Sequence, residues 1–338
     1  MKRNSRIAII GAGPAGLSAA WYLQQLGYHQ VQLLEASDRV GGKCYTAEAG
    51  GRGFDLGAFT LTPGYKHSCA LAKAVGMPLI RQPERKVFDI SSGWIGSIRQ
   101  GLHRKHGMLT IMLTSARYVA VLWRHRHWLA EPGFAQAHKH PELIAAFSEW
   151  AKDNKLEVLI DMFRLPVKDM GYGSLDDIPT VYVLKYLHFW NFLTLGLYTL
   201  GLRRWPKRMQ YGFGRLWQAV ANSMDVKTGV EIKSIQRSDN GVRIQLAGED
   251  QARHYDHLFV SCQPNALMGV MDYSNQESSL FGAIRTTRYC TTLAEVEGMP
   301  AEIYNATDDD PREDYLPGHP WEMMRAWPDN PHATFYCM

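Results

Sequence analysis

The chain has 338 residues, of which 46% are hydrophobic and 21% are charged, and its formal net charge at pH 7 is +4. This length is enough for two substructures with a sizeable core, and the composition is that of an ordinary globular protein and excludes a disordered chain. The mild charge favours no polyanionic partner, and no nucleic-acid-binding module is evident in the sequence.

The N-terminal segment predicts a strand, a helix and a second strand in close succession. An apolar run, Ile7–Ile10, is long enough for one buried strand and too short for a helix. A glycine-rich turn, residues 11–16, follows at once and leads into an Ala/Leu-rich helical pattern that ends near Gly27. Val31–Leu34 reads as the second strand, and Glu35 stands at its end. This arrangement is typical of a dinucleotide-binding βαβ unit.

The residue types of the turn suit a pyrophosphate. Gly11 permits the tight turn, Gly13 lets the backbone approach the ligand, and Gly16 allows close packing of helix on sheet. Pro14 and Ala15 open the helix, whose first N–H groups and dipole favour an anion. We therefore predict that these five residues bind the cofactor. The alternative is a glycine-rich turn that serves packing alone.

Glu35 indicates which nucleotide is bound. A carboxylate at this position accepts hydrogen bonds from the hydroxyls of an unphosphorylated ribose and repels a 2′-phosphate.

The residues after Glu35 favour FAD over NAD. Two further glycine-rich turns bring backbone, Arg39 and Lys43 close to a diphosphate or ribityl chain. The run resembles the flavin-containing amine oxidase superfamily, in which a segment of the form Glu-Ala-x-x-Arg-x-Gly-Gly-Lys/Arg wraps FAD. The resemblance implies an α/β fold with a Rossmann-like FAD-binding domain of the GR2 type and a second α+β substrate domain. The additional FAD-binding residues that it implies are Ala36, Arg39, Gly41, Gly42, Lys43, Gly57 and Ala58.

Between residues 65 and 190 the patterns predict mostly helices, with short strands between residues 77 and 96. The predicted helices are 65–75, 108–128, one or two within 142–163 that end at Pro166, and 181–190 capped by Asp177 or Thr180.

Residues 99–140 are unusually basic, with seven Lys or Arg and six His against the single acidic Glu131. Arg117 interrupts the apolar helix, which is too short to span a bilayer. Two interpretations stay open: a buried helix with a solvated basic end, and peripheral contact with an anionic membrane surface. The pairs His125/His127 and His138/His140 have metal-ligand spacing, but no Cys or carboxylate accompanies them, so no metal site is predicted.

The second half predicts a helix at 211–224, a hairpin of strands 230–235 and 242–246, and a strand at 257–262. This order resembles the second cofactor-binding portion of the same superfamily, which implies that the backbone near Ile232 contacts the adenine. We expect residues 1–80 and 208–265 to form the FAD-binding domain and residues 81–207 and 266–338 the substrate domain.

The last residues read as a strand. The superfamily has a later segment that returns to the flavin, and the resemblance therefore leads us to expect a C-terminally truncated chain.

Within the superfamily the chain resembles the polyenoic fatty acid isomerase type. The stretches that carry the likeness are SRIAIIGAGPAGL, VGGKC, GYGSLDDIPTVYVLKYLHF and RAWPDNPH. Such enzymes pass a hydride from an allylic carbon of an unsaturated fatty acid to flavin N5 and return it to another carbon. The flavin carries the chemistry, so no catalytic side chain is predicted.

The same resemblance places Arg85 and Lys86 where a substrate carboxylate is held. The alternative for these two residues is a solvated basic turn with Arg81. Tyr186, Phe189 and Trp190 are predicted either to line an apolar substrate tunnel or to pack in the core.

Other functions stay open at this point. One is an amine or amino-acid oxidase that uses O₂, and another is an inactive flavoprotein-like domain. The five scattered cysteines form no C-x-x-C pair and favour reduced thiols in a cytoplasmic protein.

Overall fold

A computed structural model of the chain divides into two compact units. The first comprises Met1–Gln82 and Pro206–Thr286, and the second comprises Pro83–Trp205 and Thr287–Met338. That the first unit binds FAD and the second binds substrate stays a prediction. The residues described are 1–61, 65–81, 86–89, 92–131, 133–134, 137–169, 173–199, 202, 207–286, 289–297, 304–307, 320–325, 327 and 329–337.

The regular elements are numbered in chain order. The strands are β1 (Ile7–Ile10), β2 (Val31–Leu34), β3 (Thr46–Ala49), β4 (Arg52–Asp55), β5 (Leu79–Arg81), β6 (Lys86–Asp89), β7 (Trp94–Gly96), β8 (Lys207–Met209), β9 (Asp225–Lys227), β10 (Ile232–Ser238), β11 (Gly241–Leu246), β12 (Arg253–Tyr255), β13 (His257–Val260), β14 (Cys290–Glu295), β15 (Tyr304–Thr307), β16 (Pro320–Arg325) and β17 (His332–Cys337). The α-helices are α1 (Pro14–Gln25), α2 (Lys66–Ala74), α3 (Ile98–His106), α4 (Met108–Arg124), α5 (Arg126–Leu129), α6 (Phe147–Asp153), α7 (Val158–Asp169), α8 (Thr180–Tyr186), α9 (Phe189–Thr199), α10 (Phe213–Ala221) and α11 (Asn275–Gly282).

The first unit is built on a parallel sheet in the order β13-β1-β2-β9. All four residues of β1 are apolar and buried, which is typical of a strand that is covered on both faces. The predicted βαβ unit is confirmed, with β1 and β2 at the residues expected.

Alternate residues of β1 face two different layers. Ile7 and Ile9 pack in a cluster with α1 and α10, whereas Ala8 and Ile10 pack with the antiparallel sheet β10-β11-β12. The period-two alternation of a strand thus places helices on one side and a second sheet on the other. The hairpin β3–β4 follows β2 in the chain. The predicted Rossmann-like fold is confirmed for this unit.

The second unit combines a mixed sheet with a helical core. The sheet has the order β14-β17-β16-β15-β6-β7, in which β15 and β6 are parallel. Helices α4 to α9 contribute to one apolar cluster, in which Tyr118 and Phe163 make edge-to-face ring contacts.

Two predictions about helix ends in this unit are wrong. Helix α7 continues through Pro166 to Asp169. The proline removes one backbone hydrogen bond, and the burial of Phe163 and Val167 on one helix face offsets that loss. The helix predicted at 181–190 is instead two helices that break at residues 187–188. Its start is not capped by Asp177 or Thr180: Pro179 is the N-cap residue, and the Thr180 hydroxyl donates to the Ala145 carbonyl oxygen.

Within the described residues, none of the helices combines the length and the apolar character needed to cross a membrane.

Candidate functional site

The site predicted for the cofactor lies at the carboxyl ends of β1 and β2 in the first unit, where ligands of parallel α/β sheets bind. Gly13 is the N-cap residue of α1, and neither a capping side chain nor an acidic residue in the first turn is present there. The first N–H groups of a helix have no partner within the helix. The start of α1 is therefore suited to an anion such as a diphosphate.

Gly16 is required by packing at this helix start. A Cβ atom at Gly16 would lie 2.1 Å from the carbonyl oxygen of Gly11 and 2.6 Å from the hydroxyl of Ser261. Both distances are shorter than any van der Waals contact, so no larger residue fits without displacing β1 from α1. Pro14 is the first helical residue, as predicted, and Ala15 is exposed next to it.

Glu35 is held by two backbone N–H groups. Its Oε2 accepts a hydrogen bond of 2.7 Å from Ala12 N, and its Oε1 accepts one of 2.9 Å from Ser37 N. A carboxylate has about four acceptor positions, so two remain for the hydroxyls of a ribose. This orientation fits the adenosine half of FAD. The parallel strands β1 and β2 bring the two residues together, because Ala12 follows β1 and Glu35 follows β2.

A second glycine turn contacts the first. A Cβ at Gly42 would lie 3.1 Å from the Cα of Gly13, and the N–H of Gly41 donates to the Ala12 carbonyl oxygen at 2.8 Å. Gly41 has a φ of +97°, which side chains rarely tolerate. The two turns thus form a backbone cradle with little side-chain bulk, which fits the diphosphate of the expected cofactor.

The other predicted ligands take different positions around this cradle. Arg39 donates to the carbonyl oxygen of Gly42 at 3.0 Å and stacks over the ring of Tyr45, so it supports the turn. A Cβ at Gly57 would lie 1.9 Å from the carbonyl oxygen of Lys43, which makes Gly57 a residue of close packing. Ala36, Lys43 and Ala58 are exposed, and Ile232 begins β10 opposite Leu246.

Val230, two residues before Ile232, forms a backbone hydrogen bond with Glu35. Val230 N donates to the Glu35 carbonyl oxygen at 2.9 Å, which joins the segment before β10 to the residue predicted to bind the ribose. Whether either residue contacts the adenine stays a prediction.

Sequence reasoning missed a group of residues that fixes the hairpin β3–β4 to α10. The N-cap residue of α10 is Gly212, which has no side chain to cap the helix. Asp55 Oδ1 accepts from Phe213 N at 2.8 Å, and Thr46 Oγ1 accepts from Gly214 N at 3.0 Å. Thr46 also donates to Asp55 at 2.5 Å. Asp55 lies between Gly53 and Gly57 in the sequence. Its partner Phe213 lies 158 residues later in the chain, so the contact could be found only from the fold.

Burial affects two ionisable groups beside the cradle. Desolvation raises the pKa of the Asp55 carboxyl, and the hydrogen bond from Thr46 opposes that rise. Desolvation raises the pKa of the Cys44 thiol to about 12, so this side chain stays neutral at physiological pH.

Ser261 is a second residue that the sequence did not reveal. It follows β13, and its Oγ lies 2.8 Å from the carbonyl oxygen of Ile10 and 2.9 Å from that of Gly11. The hydroxyl therefore anchors the carbonyl groups at the end of β1 just where the glycine turn begins.

The predicted substrate residues belong to the second unit. Arg85 lies outside the described residues, and Lys86 is exposed at the start of β6. Tyr186 is half-buried against the helical core, whereas Phe189 and Trp190 are 41% and 68% exposed and contact each other edge to face. Their role in a substrate tunnel stays a prediction. In the part of the chain that the structure describes, no three His, Cys, Asp or Glu side chains converge to hold a metal ion.

Comparison with known proteins identifies chains that are similar to this one. The chain is 26% identical over 208 residues to a polyenoic fatty acid isomerase of Ptilota filicina, an alignment that covers 54% of this chain and 41% of that protein. The chain thus spans less than half the length of this curated relative.

Solved structures match over more of the chain. A CLA-producing fatty acid isomerase from P. acnes has a TM-score of 0.83 and 27% identity, with coverage of 100% of this chain and 77% of that one. Cyclohexylamine oxidase from Brevibacterium oxydans has a TM-score of 0.68 at 15% identity, with coverage of 98% and 74%, and this likeness shows the fold alone.

A family model described as flavin containing amine oxidoreductase matches residues 14–278, well over half of the sequence. This range includes the start of α1, the second glycine turn, the capped helix α10 and Ser261. The chain therefore belongs to the flavin-containing amine oxidoreductases, a family of enzymes, and its cofactor is FAD.

Proposed function

We propose that this chain is a flavin-dependent isomerase that moves double bonds in long-chain unsaturated fatty acids. The observation that carries the proposal is the likeness to the P. acnes fatty acid isomerase over the entire chain, at 27% identity. That likeness includes the second unit, which is the unit expected to contact substrate. The amine oxidase structures match at about half that identity, so they favour no particular substrate.

The chemistry that bound FAD supplies is reversible hydride transfer. The chain's own residues would hold that cofactor in place. Glu35 would accept hydrogen bonds from the adenosine ribose, and the N–H groups of Ala15 and Gly16 would face the diphosphate. The close contact between Gly13 and Gly42 keeps the backbone near the diphosphate free of side chains.

For the substrate, we propose that a cation near the start of β6 pairs with the fatty acid carboxylate. Lys86 is exposed there, and Arg85 precedes it in the sequence. Tyr186, Phe189 and Trp190 would contact the hydrocarbon chain, since aromatic side chains offer large apolar surfaces.

The test uses the purified chain with linoleic acid under anaerobic conditions. A visible spectrum first establishes whether flavin is bound. We expect absorbance of a conjugated diene to appear without net reduction of the flavin, because the hydride that leaves one carbon returns to another. An amine panel in air, assayed for hydrogen peroxide, serves as the comparison.

Three results would contradict the proposal in different ways. Peroxide formed from an amine, without diene formation, would identify an amine oxidase. A flavin spectrum with neither activity would identify a flavoprotein that does not turn over these substrates. A chain without flavin absorbance would contradict the cofactor-binding role of the cradle itself.

A further inference from the structure

Helix α4 in the second unit exposes an unusual apolar face. Large side chains on this face are well exposed: Leu109 at 71%, Met112 at 62%, Leu113 at 51% and Trp123 at 66%. Ala116 and Ala120 are also exposed and lie between them. At 100° per residue these six positions fall within one arc of the helix. We call this arc, comprising Leu109, Met112, Leu113, Ala116, Ala120 and Trp123, the docking face.

The opposite side of α4 is already occupied. Thr114, Tyr118 and Leu122 are buried at helical spacing, and the Tyr118 hydroxyl donates to the carbonyl oxygen of Leu187 at 3.1 Å. The helix is thus fixed to the core of its own unit through one side. The side chains of the docking face are apolar although they take no part in packing the core. A contiguous exposed apolar patch of this kind marks an interaction surface.

Basic residues lie beside the docking face. Residues 98–129, which include α3, α4 and α5, contain six Arg or Lys and no Asp or Glu. Arg117 lies beside the docking face, and the guanidinium of Arg126 lies 4.1 Å from the centre of the Trp123 ring. Asp161 of α7 pairs with Lys105 and His106 at the end of α3. The remaining cations therefore present an excess of positive charge beside apolar side chains.

This combination identifies the partner by its chemistry. We propose that the docking face of α4 binds the surface of an anionic phospholipid bilayer, with the helix axis parallel to the membrane plane. The apolar side chains would enter the boundary between headgroups and acyl chains, while Arg117 and Arg126 would pair with lipid phosphates and carboxylates. Trp123 has the amphipathic ring that is enriched at this depth of a membrane. The proposal concerns a surface of the second unit and does not rest on the proposed reaction.

A second copy of the chain fits this face less well. A symmetric dimer through the docking face would bring together two surfaces that each carry an excess of positive charge, and like charges at an interface oppose association. An anionic bilayer instead neutralises those charges.

The experiment measures co-sedimentation of the full chain with vesicles at low salt. One vesicle type is pure phosphatidylcholine, and the other contains phosphatidylserine. We expect binding to the phosphatidylserine vesicles that weakens as salt is raised, because screening shortens the range of the electrostatic attraction. Binding to phosphatidylcholine alone should be weak.

Two variants separate the apolar and the charged contributions. Met112→Glu combined with Leu113→Glu should reduce binding at least tenfold, because it places two carboxylates in the docking face. Arg117→Gln combined with Arg126→Gln should reduce it roughly 25-fold, since each basic residue near an anionic surface contributes about a fivefold change. The matched control for the first variant is Leu26→Glu with Leu280→Glu, which alters side chains of similar exposure in the first unit. Lys73→Gln with Arg243→Gln is the matched control for the second. Both controls should bind like the parent chain.

Far-UV circular dichroism and thermal melting establish that each variant is folded. All the replaced side chains are largely exposed, so parent-like melting is expected. The proposal is overturned if the chain fails to sediment with phosphatidylserine vesicles at low salt, or if the Met112/Leu113 variant binds as well as its control. It is equally overturned if size-exclusion chromatography finds a dimer that this variant dissociates while vesicle binding is absent.

Discussion

Replacement of Asp55 by Ala should destabilise the first unit and weaken its hold on FAD. The Asp55 carboxylate accepts hydrogen bonds from Phe213 N and the Thr46 hydroxyl, and Gly212 offers no side chain in its place. Loss of a helix cap costs about 1 kcal/mol, and a buried donor left without a partner costs about 1–3 kcal/mol. Because these two costs describe partly the same N–H group, we expect a loss of about 2–3 kcal/mol in the free energy of unfolding.

Urea unfolding monitored by circular dichroism measures this loss. Thermal melting also measures it: in a domain of 150–250 residues the melting temperature should fall by about 2–4 °C for each kcal/mol lost from the free energy of unfolding. Flavin release during the titration gives a second readout, since the hairpin that Asp55 holds lies between the second glycine turn and Gly57. Glu48→Ala is the matched control, because Glu48 lies on the same hairpin and pairs with Arg215 of α10 at an exposed position. An exposed ion pair contributes about 0–1 kcal/mol. If Asp55→Ala costs no more than Glu48→Ala, the side-chain cap does not hold the hairpin to α10.

The Asp55→Asn variant tests the charge separately from the hydrogen bonds. The amide oxygen of the new side chain can still accept from Phe213 N, so most of the cap should survive. Burial raises the pKa of Asp55 in the folded protein, so the folded state binds its proton more tightly than the unfolded state does. The contribution of Asp55 to stability should therefore fall as pH rises from the ordinary carboxyl pKa to the raised folded-state pKa. A stability difference between the parent chain and the Asp55→Asn variant that does not change over this interval would contradict the assigned cause.

Three further substitutions test other contacts. Gly16→Ala places a Cβ atom 2.1 Å from a backbone oxygen at the end of β1, so it should abolish flavin absorbance in the purified chain. Gly196→Ala is the control, because its Cβ meets nothing within 4 Å, and this variant should retain the absorbance. Glu35→Gln should raise the Kd for FAD by about tenfold, measured by fluorescence quenching, because a charged acceptor of the ribose hydroxyls is replaced by a neutral one; an unchanged Kd would exclude Glu35 as a ribose ligand. Tyr118→Phe should lower the free energy of unfolding by about 1–2 kcal/mol in urea titrations, since the carbonyl oxygen that accepts the buried hydroxyl loses its partner; an unchanged urea midpoint would contradict this.

The first βαβ unit could be predicted from sequence because its signals are local. The apolar run at Ile7–Ile10, the glycines of the turn and the apolar strand Val31–Leu34 lie within 28 residues, and all of them were placed correctly. Neighbouring residues decide whether such a segment forms a strand or a helix start. The glycine pattern also carried the family resemblance and therefore the prediction of FAD.

The features that were missed depend on residues distant in sequence. Pro166 ends a helix by its local preference, yet the apolar core keeps α7 helical to Asp169. Thr180 has a side chain suited to a cap, but the nearby Ala145 carbonyl oxygen takes its hydroxyl. The hydrogen bond to Ala145 thus prevails over the preference of Thr180 for capping its own helix, and the sequence of the helix does not indicate that bond.

The same distinction explains why the cofactor cradle depends on more of the chain than its motif. The residues expected to face the diphosphate all lie before residue 60, but their positions are set from the second segment of the first unit. Ser261 fixes the carbonyl groups at the end of β1, and β13 supplies the parallel neighbour of that strand. The start of α10 fixes the hairpin through Asp55. A change in residues 206–286 that leaves every glycine of the motif intact should therefore still weaken FAD binding, because the motif is predicted to form the space for the cofactor and the later segment fixes the positions of the motif's residues.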